Sequence, residues 1–418
     1  MRAFADIFGQ VFKAIAANKL RSFLTMFGIA WGVASLLLLV GLGEGFRSGQ
    51  RKNLAQVGTD VILIWGSNIP AVPGQHTGLR PYKLTVSDAD AIRAQAQHVR
   101  NTTAIISRAD IKQVSDFSNA GGSVMGVEPN YPDIRTVPIA QGRFLNVDDL
   151  AQKRMVLVLG QKINKLLFPG RPPLGQFVLL NGFRFQVIGV ADKIGRGNND
   201  GDNQKVYIPL STMLEDFPII GENIPADSIS SIQYQPTTED VNETAKAEVH
   251  QIIGLRHGFD PNNKEAFDEW DTIKSKRSVD LIFNAMDVFL GGVGIVTLAL
   301  GAVGIINIML VTVTERTREI GLRKALGATK RSILIQFFLE GLLLTGLSGA
   351  IGIGGSALLM AVLAKIVGDG LQGFDPPRLV PWSAAMAMGS LTICGVIAGL
   401  YPAIKAAEME PVEALRKE

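Results

Sequence analysis

The chain has 418 residues, of which 47% are hydrophobic and only 19% charged, so its apolar residues must be concentrated in a few segments. A net charge of +3, without basic stretches interleaved with aromatic residues, excludes a nucleic-acid binder. The single cysteine, Cys394, excludes a disulfide framework within one chain, and the four histidines lack the spacing of metal ligands, so no metal site is expected.

The N-terminal part of the chain predicts an interfacial segment followed by a membrane helix. Over residues 1–21, apolar residues recur at helical spacing with lysines between them, which indicates an amphipathic helix in the membrane interface or packed in the cytoplasm. Residues 22–43 carry no charge and are numerous enough to cross a hydrocarbon core of about 30 Å. Gly28 and Gly32 form a GxxxG pattern there, which favours close helix packing. No small-residue cleavage site precedes Glu44, so we expect this span to remain as an anchor.

Residues 44–287 change to short β-rich runs separated by turn residues, which predicts a mixed α/β domain. Helical patterns occur from Ser87, a plausible N-cap, to about Val99 and from Thr238 to about Leu255. The expected strands are Asp60 to Trp65, Met155 to Leu159, Phe177 to Leu180, Phe183 to Val190 and Lys205 to Ile208. We find no catalytic motif in this domain, which favours a binding or force-transmitting role over a membrane-anchored enzyme, the distant alternative.

Three further apolar stretches predict membrane helices at residues 288–314, 333–364 and 379–404. The loop between the second and third spans, residues 315–332, carries six basic against two acidic residues, which places it in the cytoplasm. Counting spans outward from this loop puts both termini in the cytoplasm, including the tail of residues 405–418. The α/β domain and the loop of residues 365–378 are then outside.

Two features within these spans need interpretation. Glu340, in the third span, either pairs with the nearby basic loop or lies at the headgroup level. The run Gly352-Ile353-Gly354-Gly355 superficially resembles a nucleotide-binding loop, but it follows no strand and lies within a span. Helix packing is therefore the better interpretation of these glycines.

The segment from Glu315 to Ala328, ERTREIGLRKALGA, closely resembles the cytoplasmic signature of the MacB and FtsX superfamily of ABC permeases. Three other regions agree: NKLRSFLTMFGIAWGVAS, GVEPNYPDIRTVPIAQGRF and LYPAIKAAEMEPVEALRKE. The resemblance implies an integral membrane protein with four transmembrane α-helices and a large mixed α/β extracytoplasmic domain of two subdomains. By this analogy, the inner lobe comprises about residues 44–104 with 226–274, and residues 105–225 form the inserted second lobe.

The same resemblance implies the permease subunit of an ABC transporter in the bacterial inner membrane, where a cytoplasmic ATPase moves the outer domain for export. The chain has no GxxxxGK[ST] phosphate loop, so we expect it to bind no cofactor itself. ATP and Mg²⁺ would bind a separate ATPase subunit. Lipoprotein release and FtsX-like regulation of an envelope hydrolase are the alternatives. Other expected partners are membrane lipid and a periplasmic adaptor with an outer-membrane channel. A second permease, either another copy of this chain or a similar protein, is expected to pack along the first two spans through Gly28 and Gly32.

Within the signature we predict a short amphipathic helix that docks in a groove of the ATPase. Its apolar residues would make the contacts in the groove and its charged residues the polar ones. An ordinary positive-inside loop would explain the basic residues but not the regular apolar positions. The residues expected to couple to the ATPase are Arg318, Glu319, Ile320, Gly321, Leu322, Arg323, Lys324, Ala325, Leu326 and Gly327.

Overall fold

A computed structural model describes residues 19–58, 60–70, 78–194, 201–222, 224–367, 373–408 and 410. Most of the interfacial helix predicted over residues 1–21 and most of the tail predicted over residues 405–418 lie outside this part of the chain, and residues 19–21 belong to the first long helix. Two compact units are formed: a membrane unit, Met1–Ser48 with Asp280–Glu418, and an α/β unit, Gly49–Val279.

The described residues form the following helices and strands. The α-helices are α1 (Lys19–Val57), α2 (Val86–Gln95), α3 (Tyr131–Ile134), α4 (Val147–Ala151), α5 (Gln161–Leu167), α6 (Leu210–Asp216), α7 (Asn242–His257), α8 (Thr272–Glu315), α9 (Thr317–Ala325), α10 (Lys330–Val367) and α11 (Pro381–Glu408). The strands are β1 (Ile62–Gly66), β2 (Asn68–Pro70), β3 (Leu79–Pro81), β4 (Val99–Arg108), β5 (Gln113–Ser115), β6 (Asn119–Ala120), β7 (Ser123–Val127), β8 (Ile139–Gly142), β9 (Val156–Leu159), β10 (Phe177–Leu180), β11 (Phe183–Ala191), β12 (Lys205–Pro209), β13 (Ser231–Pro236) and β14 (Phe267–Asp271).

Among the described residues, four helices are long and apolar enough to cross a membrane: α1, α8, α10 and α11. Together with the α/β unit, they confirm the predicted fold class. Glycines and small side chains let these helices approach closely, as expected where lipid provides no hydrophobic drive for association. A Cβ added at Gly352 of α10 would lie 2.6 Å from the carbonyl oxygen of Ala30 in α1. One added at Gly341 of α10 would lie 2.8 Å from Cα of Gly399 in α11.

The α/β unit is built on one mixed sheet of twelve strands in the order β14-β1-β13-β4-β7-β12-β9-β11-β10-β5-β6, with β8 paired to β11. Strand β4 connects the strands on either side of it in this order, because it pairs with β13 over Val99 to Ile105 and with β7 over Ile105 to Arg108. Strands β2 and β3 form a separate ribbon. The strand β14 therefore lies at an edge of the large sheet, directly before α8 in the chain.

The N-cap of helix α2 is Thr85 and not Ser87, the residue that the sequence pattern indicates. The Thr85 hydroxyl accepts from the backbone N–H of Asp88, and the Asp88 carboxylate accepts from the N–H of Thr85, forming a capping box. Asp88 is 1% exposed and also accepts from Arg256 Nε at 2.7 Å and binds His257 Nε2 at 2.8 Å. The carboxylate thus fastens α2 to the C-terminal end of α7.

We expect Asp88 to make the α/β unit sensitive to acid. Burial raises the pKa of Asp88, but hydrogen bonds from His257, Arg256 and Thr85 outweigh it and lower this pKa to about 2. A carboxylate with a lowered pKa adds stability above its unfolded-state value near 4, and this stability is lost as the pH falls towards 2. The contribution is about 1–2 kcal/mol after allowance for solvent screening.

The measurement is thermal unfolding of the detergent-solubilised chain and its Asp88→Asn variant between pH 6 and 2. The variant should be less stable than the wild type at pH 6, and the two curves should converge near pH 2. Curves that stay parallel over this range would contradict the assignment.

Candidate coupling surface

Helix α9 lies between the membrane helices α8 and α10 and contains the signature segment. It is separated from α8 by Arg316 alone, and its last residue, Ala325, is followed by a tight turn. In this turn Gly327 has a φ of +99°, and Ala328 N–H donates to the carbonyl of Arg323 at 3.0 Å. A left-handed residue after a helix favours glycine, which explains the need for Gly327 in the signature.

One face of α9 is buried in the membrane unit and the other is exposed. Ile320 is 2% exposed and belongs to the same apolar core as Phe337 of α10. On the opposite face, the exposed fractions of Leu322 and Leu326 are 53% and 80%. Leu326 directly follows α9, and its backbone N–H donates to the carbonyl of Leu322 at 3.0 Å, so the two leucines lie one helical turn apart and form one apolar ridge, which we call the leucine ridge. Ile320 therefore packs within its own chain, and its part in coupling to the ATPase stays a prediction.

Arg323 and Lys324, which we expected among the contacts to the ATPase, bind other helices of the same chain. Arg323 Nη1 donates to Gln336 Oε1 of α10 at 2.9 Å, and Arg323 Nη2 donates to Glu319 Oε1 at 2.5 Å. Lys324 Nζ donates to the carbonyl oxygen of Ala407 near the C-terminal end of α11 at 2.5 Å. Desolvation, and then the positive charge of Lys330, lower the pKa of Lys324. These contacts fasten α9 to α10 and α11.

The ion pair of Arg316 and Glu340 links the residue between α8 and α9 to α10. The carboxylate of Glu340, with its side chain 4% exposed, lies 3.4 Å from Arg316 Nη1. Of the two interpretations of Glu340, pairing with the basic loop is therefore the one that the structure shows. A buried carboxylate in a membrane helix is tolerated when a cation compensates it in this way.

We expect Arg316→Met to destabilise the membrane unit by about 3 kcal/mol, because it leaves the Glu340 carboxylate buried without its partner. Arg318→Met, at an exposed position two residues away, is the matched control and should change stability by less than about 0.5 kcal/mol. Adding Glu340→Leu to Arg316→Met should recover most of the loss. Thermal unfolding in detergent measures all three, and equal effects of Arg316→Met and Arg318→Met would contradict the role of the pair.

Of the two glycines predicted to pack in a dimer, Gly32 contacts its own chain. A Cβ added there would lie 3.3 Å from Thr297 Cγ2 of α8, whereas one added at Gly28 would meet open space. Beside Gly28, the exposed rings of Phe23, Phe27 and Trp31 are stacked in sequence, with centroids 5.7 and 5.8 Å apart. The face of α1 that remains open for a partner helix therefore carries Gly28 and this aromatic row.

Within the part of the chain that the structure describes, no group of three or more His, Cys, Asp or Glu residues is placed to hold a metal ion. The histidines of the α/β unit serve other contacts. Each of three is hydrogen bonded to a carboxylate, in the pairs His98–Glu248, His250–Glu269 and His257–Asp88. These pairs all involve α7, so they hold this helix to its neighbours.

In the part of the chain that the structure describes, the architecture is that of a multi-pass membrane protein with four candidate membrane helices and a mixed α/β domain. Residues 22–252 match the MacB-like periplasmic core domain and residues 291–411 the FtsX-like permease C-terminal domain. The chain belongs to the MacB/FtsX-type family of ABC transporter permeases.

Several related proteins align with almost the whole of this chain. The "Uncharacterized ABC transporter permease YknZ" of Bacillus subtilis (strain 168) is 30% identical over 97% of this chain and 97% of its own length. The "Macrolide export ATP-binding/permease protein MacB" of Azoarcus sp. (strain BH72) is 32% identical over 97% of this chain but only 58% of its own length. The chain thus spans about three fifths of the MacB relatives that it matches. The crystal structure of the periplasmic region of MacB from Actinobacillus actinomycetemcomitans is 24% identical, with a TM-score of 0.43, over 55% of this chain and 96% of its own.

Proposed function

We propose that this chain couples ATP hydrolysis by a cytoplasmic ATPase to movement of its extracytoplasmic domain, and that this movement drives export across the cell envelope. The observation that carries the proposal is the leucine ridge of α9. Two leucines that are largely exposed in the described part of the chain, within a polar loop, would fill an apolar groove of a partner. Their helix is fastened to α10 and α11 and nearly continuous with α8, so a force on the ridge acts on three membrane helices together.

Charge supports a cytoplasmic position for α9. Residues 315–332 carry six basic and two acidic residues, and short loops of this kind remain on the cytoplasmic side. With four spans, both termini are then cytoplasmic and the protein lies in the inner membrane. The ATPase, with its ATP and Mg²⁺, approaches from the same side as the leucine ridge.

The names of the relatives support an ATPase as the partner of this chain. The MacB relatives are called "ATP-binding/permease" proteins, whereas the YknZ relative of matching length is called a permease. We therefore assign nucleotide binding to a sequence outside these 418 residues, and expect a second permease copy against the face of α1 that carries Gly28. A periplasmic adaptor with an outer-membrane channel would continue the export route.

The proposal is tested by reconstituting the chain with candidate ABC ATPases in liposomes. The permease should co-purify with one of them and stimulate its ATP hydrolysis. A thiol introduced as Leu326→Cys in a Cys394→Ser background should be labelled only from the cytoplasmic side. Labelling from the outside, or no stimulation of any ATPase that binds the chain, would contradict the proposal.

A further inference from the structure

Within the membrane unit, a short segment between α10 and α11 lies against one side of α1. We call this segment, residues 374–378, the strap. A Cβ added at Gly45 of α1 would lie 2.5 Å from the carbonyl oxygen of Asp375, and one added at Gly41 would lie 2.9 Å from that of Arg378. Residues four apart lie on the same side of a helix, so these two glycines leave a groove in α1. The strap fills this groove, and a larger side chain at either glycine would displace it.

Three polar contacts hold the strap in the groove. The backbone N–H of Asp375 donates to the carbonyl of Gly45 at 2.9 Å. The Ser48 hydroxyl donates to Oδ2 of Asp375 at 2.5 Å. At the other end of the strap, Arg378 Nη2 lies 3.1 Å from Oε1 of Glu44. All of the groups on α1 that make these contacts lie within its residues 44–48, so the strap is attached to one short stretch of this helix.

The same stretch of α1 is also bound to α8. Arg47 Nη2 donates to Oδ1 of Asn284 at 2.9 Å and lies 3.1 Å from Oδ2 of Asp287. Glu44 connects the contacts on the two sides, because its second carboxylate oxygen lies 3.9 Å from Arg47 Nη1. Residues 41–48 of α1 are therefore held between the strap and α8.

This part of α1 is far from the leucine ridge. Helices α1 and α8 are antiparallel, since a Cβ at Gly32 would lie 3.3 Å from Cγ2 of Thr297 and one at Gly43 would lie 3.0 Å from Cε of Met286. Helix α9 follows the other end of α8, at Glu315. At a rise of 1.5 Å per residue, about 40 Å of α8 separates the contacts of Arg47 from α9. Any influence of α9 on residues 41–48 must therefore be transmitted through the membrane helices.

Helix α11 connects the strap to α9. It begins at Pro381, separated from the strap by only two residues, and near its other end the carbonyl of Ala407 accepts from Lys324 of α9. Within the strap, Pro376 and Pro377 have fixed φ angles, so this segment is stiff. A movement of α9 can therefore reach α1 through α11 and the strap as well as through α8.

We propose that Asp375 and Arg378 are positioning residues that hold the strap against α1, so that movement of α9 is passed along α11 to residues 41–48 of α1. This inference rests on the proposed function, because the ATPase supplies the movement. The ATPase binds at the leucine ridge, which the strap does not contact. Displacing the strap should therefore weaken the response of α1 to ATP and leave stimulation of the ATPase largely intact.

Gly45→Ala is the principal variant, because it adds a single Cβ where the carbonyl oxygen of Asp375 lies. Alanine forms helices better than glycine, so α1 itself should still form. Gly354→Ala in α10 is the matched control, since a Cβ there meets no atom within 4 Å. Asp375→Ala removes the acceptor of the Ser48 hydroxyl, whereas Asp375→Asn keeps an oxygen that accepts from it.

The response of α1 is measured with a nitroxide on Leu39→Cys in a Cys394→Ser background, in the full chain reconstituted in liposomes with the ATPase that co-purifies with it. Leu39 is exposed on α1 close to the strap. The accessibility of the label to oxygen and to a water-soluble nickel complex is compared with and without ATP, and stimulated ATP hydrolysis is measured on the same samples. ATP should change this accessibility in the wild type. In Gly45→Ala the change should fall by about half or more, while stimulation stays within about twofold of the wild type.

Gly354→Ala and Asp375→Asn should behave as the wild type, and Asp375→Ala should lose part of the response. A full response in Gly45→Ala, or a wild type that stimulates the ATPase without any change at Leu39, would overturn the inference. A parallel loss of stimulation and response would mean that the strap is only structural, which would also overturn it. If Gly45→Ala does not insert, Asp375→Ala and Asp375→Asn decide the matter, and equal responses of these two would overturn the inference. A wild type that stimulates no ATPase would instead contradict the proposed function, and with it the inference.

Discussion

Replacing Leu322 and Leu326 together by Asp is expected to abolish stimulation of the ATPase. If the leucine ridge fills an apolar groove, the double variant buries two carboxylates without partners, at a cost of about 3 kcal/mol or more. This corresponds to a loss of affinity of about a hundredfold or more. Because both leucines are exposed within the described part of the chain, the variant should still insert and fold. The measurements are co-purification of the ATPase, stimulated hydrolysis in liposomes and membrane abundance.

Leu322→Met with Leu326→Met is the matched control, since methionine keeps the apolar volume and should preserve coupling. Replacing Arg323 and Lys324 by Glu, which reverses their charge, tests docking to the ATPase less well than the sequence alone suggests. These side chains bind Gln336 and the Ala407 carbonyl, so their reversal would loosen α9 from its own chain before it affected any partner. Wild-type stimulation by the Leu322→Asp, Leu326→Asp variant would show that force enters elsewhere.

The internal role of these basic residues could not be predicted from the sequence. An amphipathic helix and the i,i+4 pair of Glu319 with Arg323 are visible as local patterns, but the partner that ties Arg323 to the next helix is an uncharged glutamine, and that of Lys324 is a backbone carbonyl 83 residues away. Neither partner gives a signal in charge patterning. Only the packing of α9 against α10 and α11 decides which of its charges are available to another protein.

Uncharged stretches reveal the four membrane helices but not where these helices end. Helix α1 continues past Glu44 to Val57, and α8 begins at Thr272, well before the apolar stretch at residue 288. Charged residues make a segment unsuitable for lipid, but they do not stop a helix in water. The ends are set by local stereochemistry, the left-handed Gly58 after α1 and the capping carboxylate of Asp271 before α8.

In the α/β unit, sequence patterns predict the strands with hydrophobic β-branched or aromatic residues but not the more polar central ones. Strand β10 has the predicted bounds, Phe177–Leu180. Strand β13, SIQYQP, is not predicted although all of its residues are buried, because Gln233 and Gln235 make it look like a loop. Val99, predicted to end the preceding helix, instead begins β4. Burial of polar side chains in a central strand depends on neighbours that sequence periodicity does not show.

Gly352→Leu is expected to prevent assembly of the membrane unit, with a cost of about 3 kcal/mol or more. Even a Cβ at this position would lie 2.6 Å from the Ala30 carbonyl oxygen and 2.9 Å from Val33 Cβ of α1, and both belong to a helix that cannot yield locally. Gly355→Leu, three residues further along the same helix, is the matched control, because a Cβ there meets no atom within 4 Å and leucine favours helix formation over glycine. Membrane abundance and the temperature of unfolding in detergent should both fall sharply for Gly352→Leu. Both should remain near the wild-type values for Gly355→Leu. Equal behaviour of the two would mean that α1 and α10 do not approach closely at Gly352.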